Sequence, residues 1–158
     1  MGLALCRVDD RLVHGQVVIG WGRPLSVKFI VLVDDGVRVS DWEQDLYRMA
    51  VPDGVDVIFA STSEAVAALP AWAADPRPGI LLTGDLTTMA ALHEAAPDIV
   101  HRINLGGIHH RADRHERLRY LYLSADEESL LTSMRRTGAE ITAQDLPTTP
   151  PVGMEVLP

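Results

Sequence analysis

The segment from Arg7 to Val17 contains a single histidine, His14, among arginines, aspartates and a glycine. Histidine is the side chain whose ordinary pKa lies nearest to neutrality, so a neutral imidazole with one nucleophilic ring nitrogen is available at cellular pH. Such a nitrogen can attack phosphorus, and phosphoryl transfer needs mainly positioning and positive charge around the transferred oxygens. The segment therefore predicts phosphoryl transfer through His14.

The neighbours of His14 are residue types that hold phosphate. Arg11 offers a planar guanidinium that can donate to two oxygens, and Arg7 can add positive charge from the end of a strand. Gly15 allows the backbone to approach closely, Gln16 is a neutral donor, and backbone N–H groups at a helix start add further donors. Together they predict a cradle for a phosphoryl group.

The aspartates of this segment have alternative roles. Asp9 or Asp10 can orient Arg11, or can fix which ring nitrogen of His14 is free, and the sequence leaves the choice between them open. In a simpler interpretation, Asp10 and Arg11 form a surface ion pair and His14 is only a neighbour of a helix N-terminus. Spacing alone gives the two interpretations equal weight.

The predicted elements place His14 at the edge of a sheet. Residues 3–6 predict a short buried strand and residues 16–21 the start of an apolar helix, and ligands of open α/β sheets bind where a strand is followed by a helix. Apolar, β-branched runs predict further strands at residues 27–33, 55–59, 80–82, 99–105 and 118–123.

Capping boxes mark helices between these strands. Ser40, Ser61 and Ser124 each stand three residues before a glutamate, and the two side chains of such a pair satisfy the first N–H groups of a helix. The helix after Ser40 has an apolar face that we expect to pack on the sheet. Its members are Trp42, Leu46 and Met49.

The alternation of strands and helices predicts the α/β class. We expect residues 1–158 to form a single domain with a mainly parallel sheet, helices on both faces and right-handed crossovers, and we leave open an antiparallel strand at one edge. Four of the ten prolines lie in the last twelve residues, so residues 146–158 are expected to form an extended C-terminal segment.

Length and composition limit the class of protein. The 158 residues suffice for one core, and no apolar run reaches the roughly 18 residues of a membrane span. The N-terminus has no signal-peptide pattern and Cys6 is the single cysteine, which predicts a cytoplasmic protein. A net charge of −8 disfavours binding to nucleic acid and indicates protein or small-molecule partners.

A second polar segment, residues 109–115, holds three histidines and Asp113. Its spacing fits no standard ligand pattern, so we expect a solvated loop and no metal. The same region carries five of the fourteen basic residues, which form either an exposed charged face or a docking surface for an acidic partner. These are Arg102, Arg111, Arg114, Arg117 and Arg119.

The segment Arg7 to Val17 resembles, without a gap, the N-terminal signature of the IIB components of the mannose/fructose/sorbose family of the bacterial phosphoenolpyruvate-dependent sugar phosphotransferase system. Looser similarity continues at residues 30–35, 46–52 and 103–107, so the resemblance covers most of the chain. It implies an α/β domain with a largely parallel sheet.

The resemblance also implies roles for individual residues. His14 would be the phosphorylated residue, at Nδ1, and Arg11 would clamp the phosphate. The cradle would be formed by Asp10, Gly15 and Gln16. No cofactor is implied.

In that family a IIA component donates the phosphoryl group, and the acceptor is a sugar held by the membrane permease components IIC and IID. The resemblance therefore implies a cytoplasmic phosphocarrier associated with the permease, and a homodimer is compatible with it. A non-catalytic module that reports phosphorylation state to a protein partner is the alternative. A metal-dependent hydrolase using residues 109–115 is a third and weaker interpretation.

Overall fold

Residues 2–153 are the part of the chain that the computed structural model describes, with Gln16 described for its backbone only, and they form nine strands and six helical segments. The strands are β1 (Gly2–Val8), β2 (Phe29–Val33), β3 (Asp56–Ala60), β4 (Pro78–Thr83), β5 (Arg102–Leu105), β6 (His115–Leu118), β7 (Leu121–Leu123), β8 (Glu140–Ala143) and β9 (Val152–Gly153). The helices are a π-helix (Gln16–Trp21), α1 (Asp35–Arg38), α2 (Asp41–Arg48), α3 (Thr62–Ala74), α4 (Leu86–Ala95) and α5 (Ala125–Arg136).

Seven strands form one sheet in the order β3-β2-β4-β1-β5-β8-β9. β1 lies at its centre between β4 and β5, and all its described strand pairs are parallel except β8–β9 at one edge. The predicted α/β class, with a mainly parallel sheet and an antiparallel edge strand in a single domain, is confirmed. Residues 118–123 do not form one strand, because the chain reverses at residues 119–120 and makes the antiparallel β6–β7 hairpin.

Both faces of the sheet are covered, as the alternation of side chains requires. On one face Val31 belongs to a core with Leu69 of α3, Leu92 of α4 and Leu131 of α5. On the other face Ile30 and Leu32 belong to a core with Val17 and Val18 of the π-helix and Val37 of α1. The prediction of helices on both faces is confirmed, and β1 at the centre of the sheet is covered on both faces.

Two of the three capping boxes form. Ser61 and Ser124 accept from the N–H groups of Glu64 and Glu127, whose carboxylates accept in return. Ser40 precedes α2 without a side-chain capping bond, and the carboxylate of Asp34 instead caps the short helix α1. The chain therefore starts a helix earlier than the sequence pattern predicts.

The expected packing of α2 on the sheet is wrong. Trp42, Leu46 and Met49 are 70%, 53% and 82% exposed, and the buried residue of the helix is Gln44. Its amide donates to the carbonyls of Val37 and Arg38 at the end of α1. These bonds turn the polar side of α2 inward, so its apolar face points to solvent.

The C-terminal segment is only partly extended. A turn at residues 146–149 is closed by the bond from Thr149 N–H to the Leu146 carbonyl, after which β9 pairs with β8. Residues 154–158 of the predicted segment lie outside the described residues. Across residues 2–153, none of the helices has the length and apolar character needed to cross a membrane.

Candidate functional site

Four strand ends meet at the carboxyl edge of the sheet, where β1 runs into the segment that holds His14. The Asp9 N–H donates to the carbonyl of Thr83, the last residue of β4, at 2.9 Å, and the Asp10 N–H donates to the carbonyl of Gly107, after β5, at 2.8 Å. The Arg7 side chain reaches Gln144 and Asp145 after β8. The segment is thus fastened to its neighbours on both sides.

Asp9 is a fully buried carboxylate that two arginines share. It accepts from Arg11 Nε at 2.9 Å and Nη2 at 2.7 Å, from the Arg11 N–H at 3.1 Å and from Arg7 Nη2 at 3.2 Å. Burial alone would raise the pKa of this carboxyl, but the bonds and charges of the two guanidinium groups outweigh it and hold the pKa below its usual range. Asp9 is therefore the carboxylate that orients Arg11, which resolves the choice that the sequence left open.

Arg7 does not reach the surface, so the structure does not support its predicted role as a phosphate ligand. Its side chain is fully buried and donates to the carbonyls of Gln144 and Asp145, at 2.8 Å and 2.9 Å. It also bonds the Asn104 side chain, and its guanidinium lies 4.8 Å from the Trp21 ring centroid. Burial lowers the pKa of the guanidinium, and Asp9 counteracts part of this effect. Arg7 ties β1, β5 and β8 together behind the site.

Arg11 keeps an accessible side while Asp9 fixes its plane. Its side chain is 38% exposed, and Nη2 also lies 3.4 Å from Asp145 Oδ1. The hydrogen bonds from Asp9 raise the pKa of Arg11 above its ordinary value, so the group is a permanent cation at the rim. A guanidinium held in this way is preorganised to meet an anion.

His14 is half-buried at the start of the π-helix, and its ring is engaged in the described conformation. Nδ1 lies 2.8 Å from the carbonyl oxygen of Leu12, which can only accept, so this contact assigns the proton to Nδ1. Among the described residues, the buried Nε2 has no hydrogen-bond partner. For either nitrogen to meet phosphorus, the ring has to turn toward solvent.

The turn before His14 is strained. Leu12 has a φ of 59°, a left-handed conformation that residues other than glycine, asparagine and aspartate rarely adopt. Its N–H donates to the Asp9 carbonyl at 3.0 Å, and its side chain packs so closely on Gly84 that a Cβ there would lie 2.8 Å from Leu12 Cδ2. The sequence offers no signal for this conformation, because it depends on the neighbouring strands.

The turn at Gly106 and Gly107 is part of the site, which the sequence left undecided between a tight turn and a phosphate contact. A Cβ at Gly106 would lie 2.3 Å from Arg7 Nη2, and one at Gly107 would lie 3.2 Å from Arg11 Nε. These glycines let the chain after β5 lie against the Arg7–Asp9–Arg11 network. The space that a Cβ at Gly15 would occupy is open, and the Gln16 side chain lies outside the described residues.

Comparison with known proteins identifies the family. Residues 3–157 match the family model described as PTS system sorbose subfamily IIB component, where PTS is the phosphotransferase system. The chain belongs to this family. PTS IIB components act as phosphotransferases in sugar phosphorylation, and they work with IIA and IIC partners.

Similar proteins match along nearly the whole length of this IIB component. The N-acetylgalactosamine-specific phosphotransferase enzyme IIB component 2 of Escherichia coli (strain K12) is 24% identical over 152 residues, 96% of each chain. The crystal structure of manxB from Thermoanaerobacter tengcongensis has a TM-score of 0.85 at 26% identity and covers 97% of this chain and 92% of that one. The IIBSor domain of the sorbose permease from Klebsiella pneumoniae has a TM-score of 0.87 at 23% identity, covering 98% and 94%.

Asp10 of this IIB component is held by the loop that follows β5. Its Oδ2 accepts from the His109 N–H at 2.8 Å and contacts the ring Nδ1 of His109, while the His109 carbonyl accepts from Arg114 Nη1 at 3.0 Å. Arg114 in turn donates twice, at 2.9 Å, to Glu127 at the start of α5. A chain of contacts therefore joins the segment of His14 to α5. The place of Asp10 in a phosphate cradle stays a prediction.

The same contacts revise the interpretation of residues 109–115. The Arg114 side chain is 7% exposed, so it supports the loop and is not part of a charged docking face. The ring of His110 meets Tyr122 edge-on, with the ring centroids 5.6 Å apart. Within residues 2–153 no three or more His, Cys, Asp or Glu side chains are grouped so as to hold a metal ion, so the hydrolase interpretation has no ligand set there.

Proposed function

We propose that this IIB component is a phosphocarrier of the cytoplasm, in which His14 accepts a phosphoryl group from a phosphohistidine on a IIA component. His14 then passes the group to a sugar held by the IIC and IID components of the membrane permease. The observation that carries the proposal is the state of Arg11, which stands three residues before His14 in the chain: its guanidinium is partly exposed, and its plane is fixed by the buried Asp9.

Each transfer breaks one bond to phosphorus and forms another. In the first, the lone pair of a His14 ring nitrogen attacks phosphorus, and the P–N bond to the donor histidine breaks with its electron pair returning to that ring. In the second, a sugar hydroxyl oxygen attacks, the P–N bond to His14 breaks, and the hydroxyl proton is released. Both steps need positive charge around the three equatorial oxygens, which Arg11 and backbone amides at the start of the π-helix would supply.

His14 is a better acceptor than the single cysteine of the chain. Cys6 lies in β1 with its side chain in the core, and burial raises the pKa of its thiol to about 12. Because the thiolate is the nucleophilic form of cysteine, Cys6 is neither accessible nor activated. The proposal therefore assigns the phosphoryl group to nitrogen.

The ring of His14 has to leave the Leu12 carbonyl before the first transfer, and its proton has to move from Nδ1 to Nε2 by exchange with solvent so that the Nδ1 lone pair is free to attack. This bond of 2.8 Å is one neutral hydrogen bond, whose net loss costs about 1 kcal/mol. The cost is small beside the stabilisation that charged contacts to a phosphoryl group provide. We keep Nδ1 as the proposed phosphorylated atom, with Gly15 and Gln16 beside it.

A reconstituted phosphorylation tests the proposal. The chain is incubated with labelled phosphoenolpyruvate, the general phosphotransfer proteins and a IIA component, and the label is followed onto it. We expect a label that is labile in acid and stable in base, as a P–N bond is. An acid-stable label, or no label with a IIA component that phosphorylates another IIB protein, would overturn the proposal.

His109 is expected to tune the rate through Asp10. Replacing His109 by alanine removes its ring contact to Asp10 and loosens the segment before His14, so phosphorylation of His14 should slow by about fivefold, the equivalent of one hydrogen bond. His109→Asn, which keeps a donor, should restore part of the rate. His110→Ala is the matched control, and equal rates for His109→Ala and His110→Ala would show that the contact to Asp10 has no effect.

A further inference from the structure

The α1–α2 surface is the largest unexplained feature of the molecule. We define it by Val39, at the end of α1, and by Trp42, Leu46 and Met49, which share one face of α2. They account for four of the six exposed large hydrophobic residues in the described part of the chain, and Val39 is 84% exposed. Exposed apolar patches of this kind mark interaction sites, because leaving such side chains in water has a free-energy cost.

The fold does not need this arrangement. Gln44 faces inward and bonds two carbonyls of α1, whereas the apolar side of the same helix faces solvent. An amphipathic helix that served only the core of this chain would have the opposite orientation. The α1–α2 surface is therefore built to meet something outside this chain.

Acidic residues surround the apolar side chains. Residues 34–53 contain six aspartates or glutamates and two arginines, a formal charge of −4 and half of the −8 of the whole chain. Asp41 and Asp45 are exposed on α2 itself, beside Trp42 and Leu46. The two arginines, Arg38 and Arg48, each pair with a carboxylate, at 2.8 Å and 3.1 Å. A partner that fits this surface would therefore present a patch that is apolar at its centre and basic at its rim.

We propose that the α1–α2 surface docks onto the cytoplasmic face of the integral membrane component that holds the sugar acceptor of the phosphoryl group. Cytoplasmic loops of membrane proteins carry an excess of lysine and arginine, which supplies the basic rim. Complementary charge fixes the orientation of such a complex and speeds its formation, while the buried aromatic and aliphatic side chains provide most of the affinity. This inference rests on the proposed phosphocarrier function.

The position of the surface agrees with this role. α1 begins directly after β2, at the same edge of the sheet as His14, and β4 alone separates β2 from β1. With neighbouring strands about 4.8 Å apart, the ends of β1 and β2 lie roughly 10 Å from each other. A partner seated on the α1–α2 surface therefore has His14 within reach.

A second copy of the chain fits the surface less well. In a two-fold dimer the same patch meets itself, so the net negative segments of both copies would face each other. Bare lipid fits less well for the same reason, because anionic headgroups repel an acidic rim. Both remain outcomes of the experiment below.

The test uses the double variant Trp42→Ser, Leu46→Ser, with Val66→Ser as a matched control, because Val66 is an exposed apolar residue of α3 outside the surface. Three quantities are measured: phosphorylation by IIA, co-sedimentation with inverted membrane vesicles that contain the cognate IIC and IID components, and transfer of label to sugar in those vesicles. Protein-free vesicles of phosphatidylglycerol and the molar mass in solution are controls.

We expect the double variant to keep its rate of phosphorylation by IIA within about twofold while co-sedimentation and transfer to sugar fall by at least about tenfold, the loss typical of central interface residues. Val66→Ser should match the wild type. Unchanged co-sedimentation, binding to lipid alone, an equal loss of phosphorylation by IIA, or conversion of a dimer to a monomer would overturn the docking proposal. If the wild-type protein takes no label but co-sediments, and the double variant does not co-sediment, the phosphocarrier function fails and the docking surface stands.

Discussion

Replacing His14 by alanine is expected to abolish both phosphorylation by IIA and transfer to sugar, lowering each rate by about four orders of magnitude or more, as removal of a catalytic nucleophile does. The other candidate nucleophiles before the π-helix are not placed to take over: Cys6 is buried, the Asp9 carboxylate is buried and bonded to Arg11, and the Asp10 carboxylate is bonded to His109. Initial rates with labelled phosphoenolpyruvate measure the effect.

The same variant should remain folded. The described polar contact of the His14 ring is its bond to the Leu12 carbonyl, so circular dichroism and the midpoint of thermal unfolding should change little. His110→Ala, which removes an exposed histidine near the site, should keep the wild-type rate. A His14→Ala protein that is folded and still accepts label would remove His14 from the mechanism.

Replacing Asp9 by asparagine is expected to cost about 3–5 kcal/mol of folding free energy at pH 7, since it leaves the buried Arg7 guanidinium, and in part Arg11, without a compensating charge. That loss is a large share of the 5–15 kcal/mol that stabilises a typical domain. Urea unfolding measures it. Asp113→Asn is the control, because Asp113 is an exposed carboxylate, 3.7 Å from Arg111, and its loss should have little effect.

The cost of Asp9→Asn should depend on pH in one direction. The pKa of Asp9 is lower in the folded protein than in the unfolded chain, where it is about 3.9, so its contribution is complete above that pH and disappears as the folded carboxyl is protonated. The difference in unfolding free energy between wild type and variant should be constant from pH 7 to pH 5 and should shrink below about pH 4. A difference under 1 kcal/mol at pH 7 would contradict the role given to Asp9.

Local signals in the sequence are enough to predict most of the fold. Alternating apolar runs and helix caps establish the α/β class because both depend on near neighbours in the chain, as the capping box of Ser61 shows. The sequence predicts a helix at residues 16–21, and the structure has a π-helix there. Two predictions near α2 are wrong, the capping box at Ser40 and the packing of the apolar face on the sheet, and the cause is not local. Asp34 caps the earlier helix α1, and the Gln44 side chain bonds the end of α1.

In the site, too, some features can be predicted from neighbouring residues in the sequence, whereas others depend on distant strands. The identity of His14 and Arg11 as the central pair is a matter of residue type and spacing, which a sequence displays. The role of Asp9 and the burial of Arg7 depend on β5 and on the chain directly after β8, whose residues contact Arg7 from 97 and 137 positions away in the sequence. The closeness of Gly106 to both side chains depends on the same strands. No local pattern separates Asp9 from Asp10, because their different partners are set by the order of strands in the sheet.

The most direct test of the account is to locate the phosphoryl group on the protein. The chain has six histidines, and nuclear magnetic resonance of the phosphorylated, ¹⁵N-histidine-labelled protein distinguishes them and resolves Nδ1 from Nε2. We predict that phosphorylation by IIA shifts the ring resonances of His14, with phosphorus coupled to its Nδ1. Coupling to any of the other five histidines, or a phosphorylated protein in which the His14 ring is unchanged, would contradict the account.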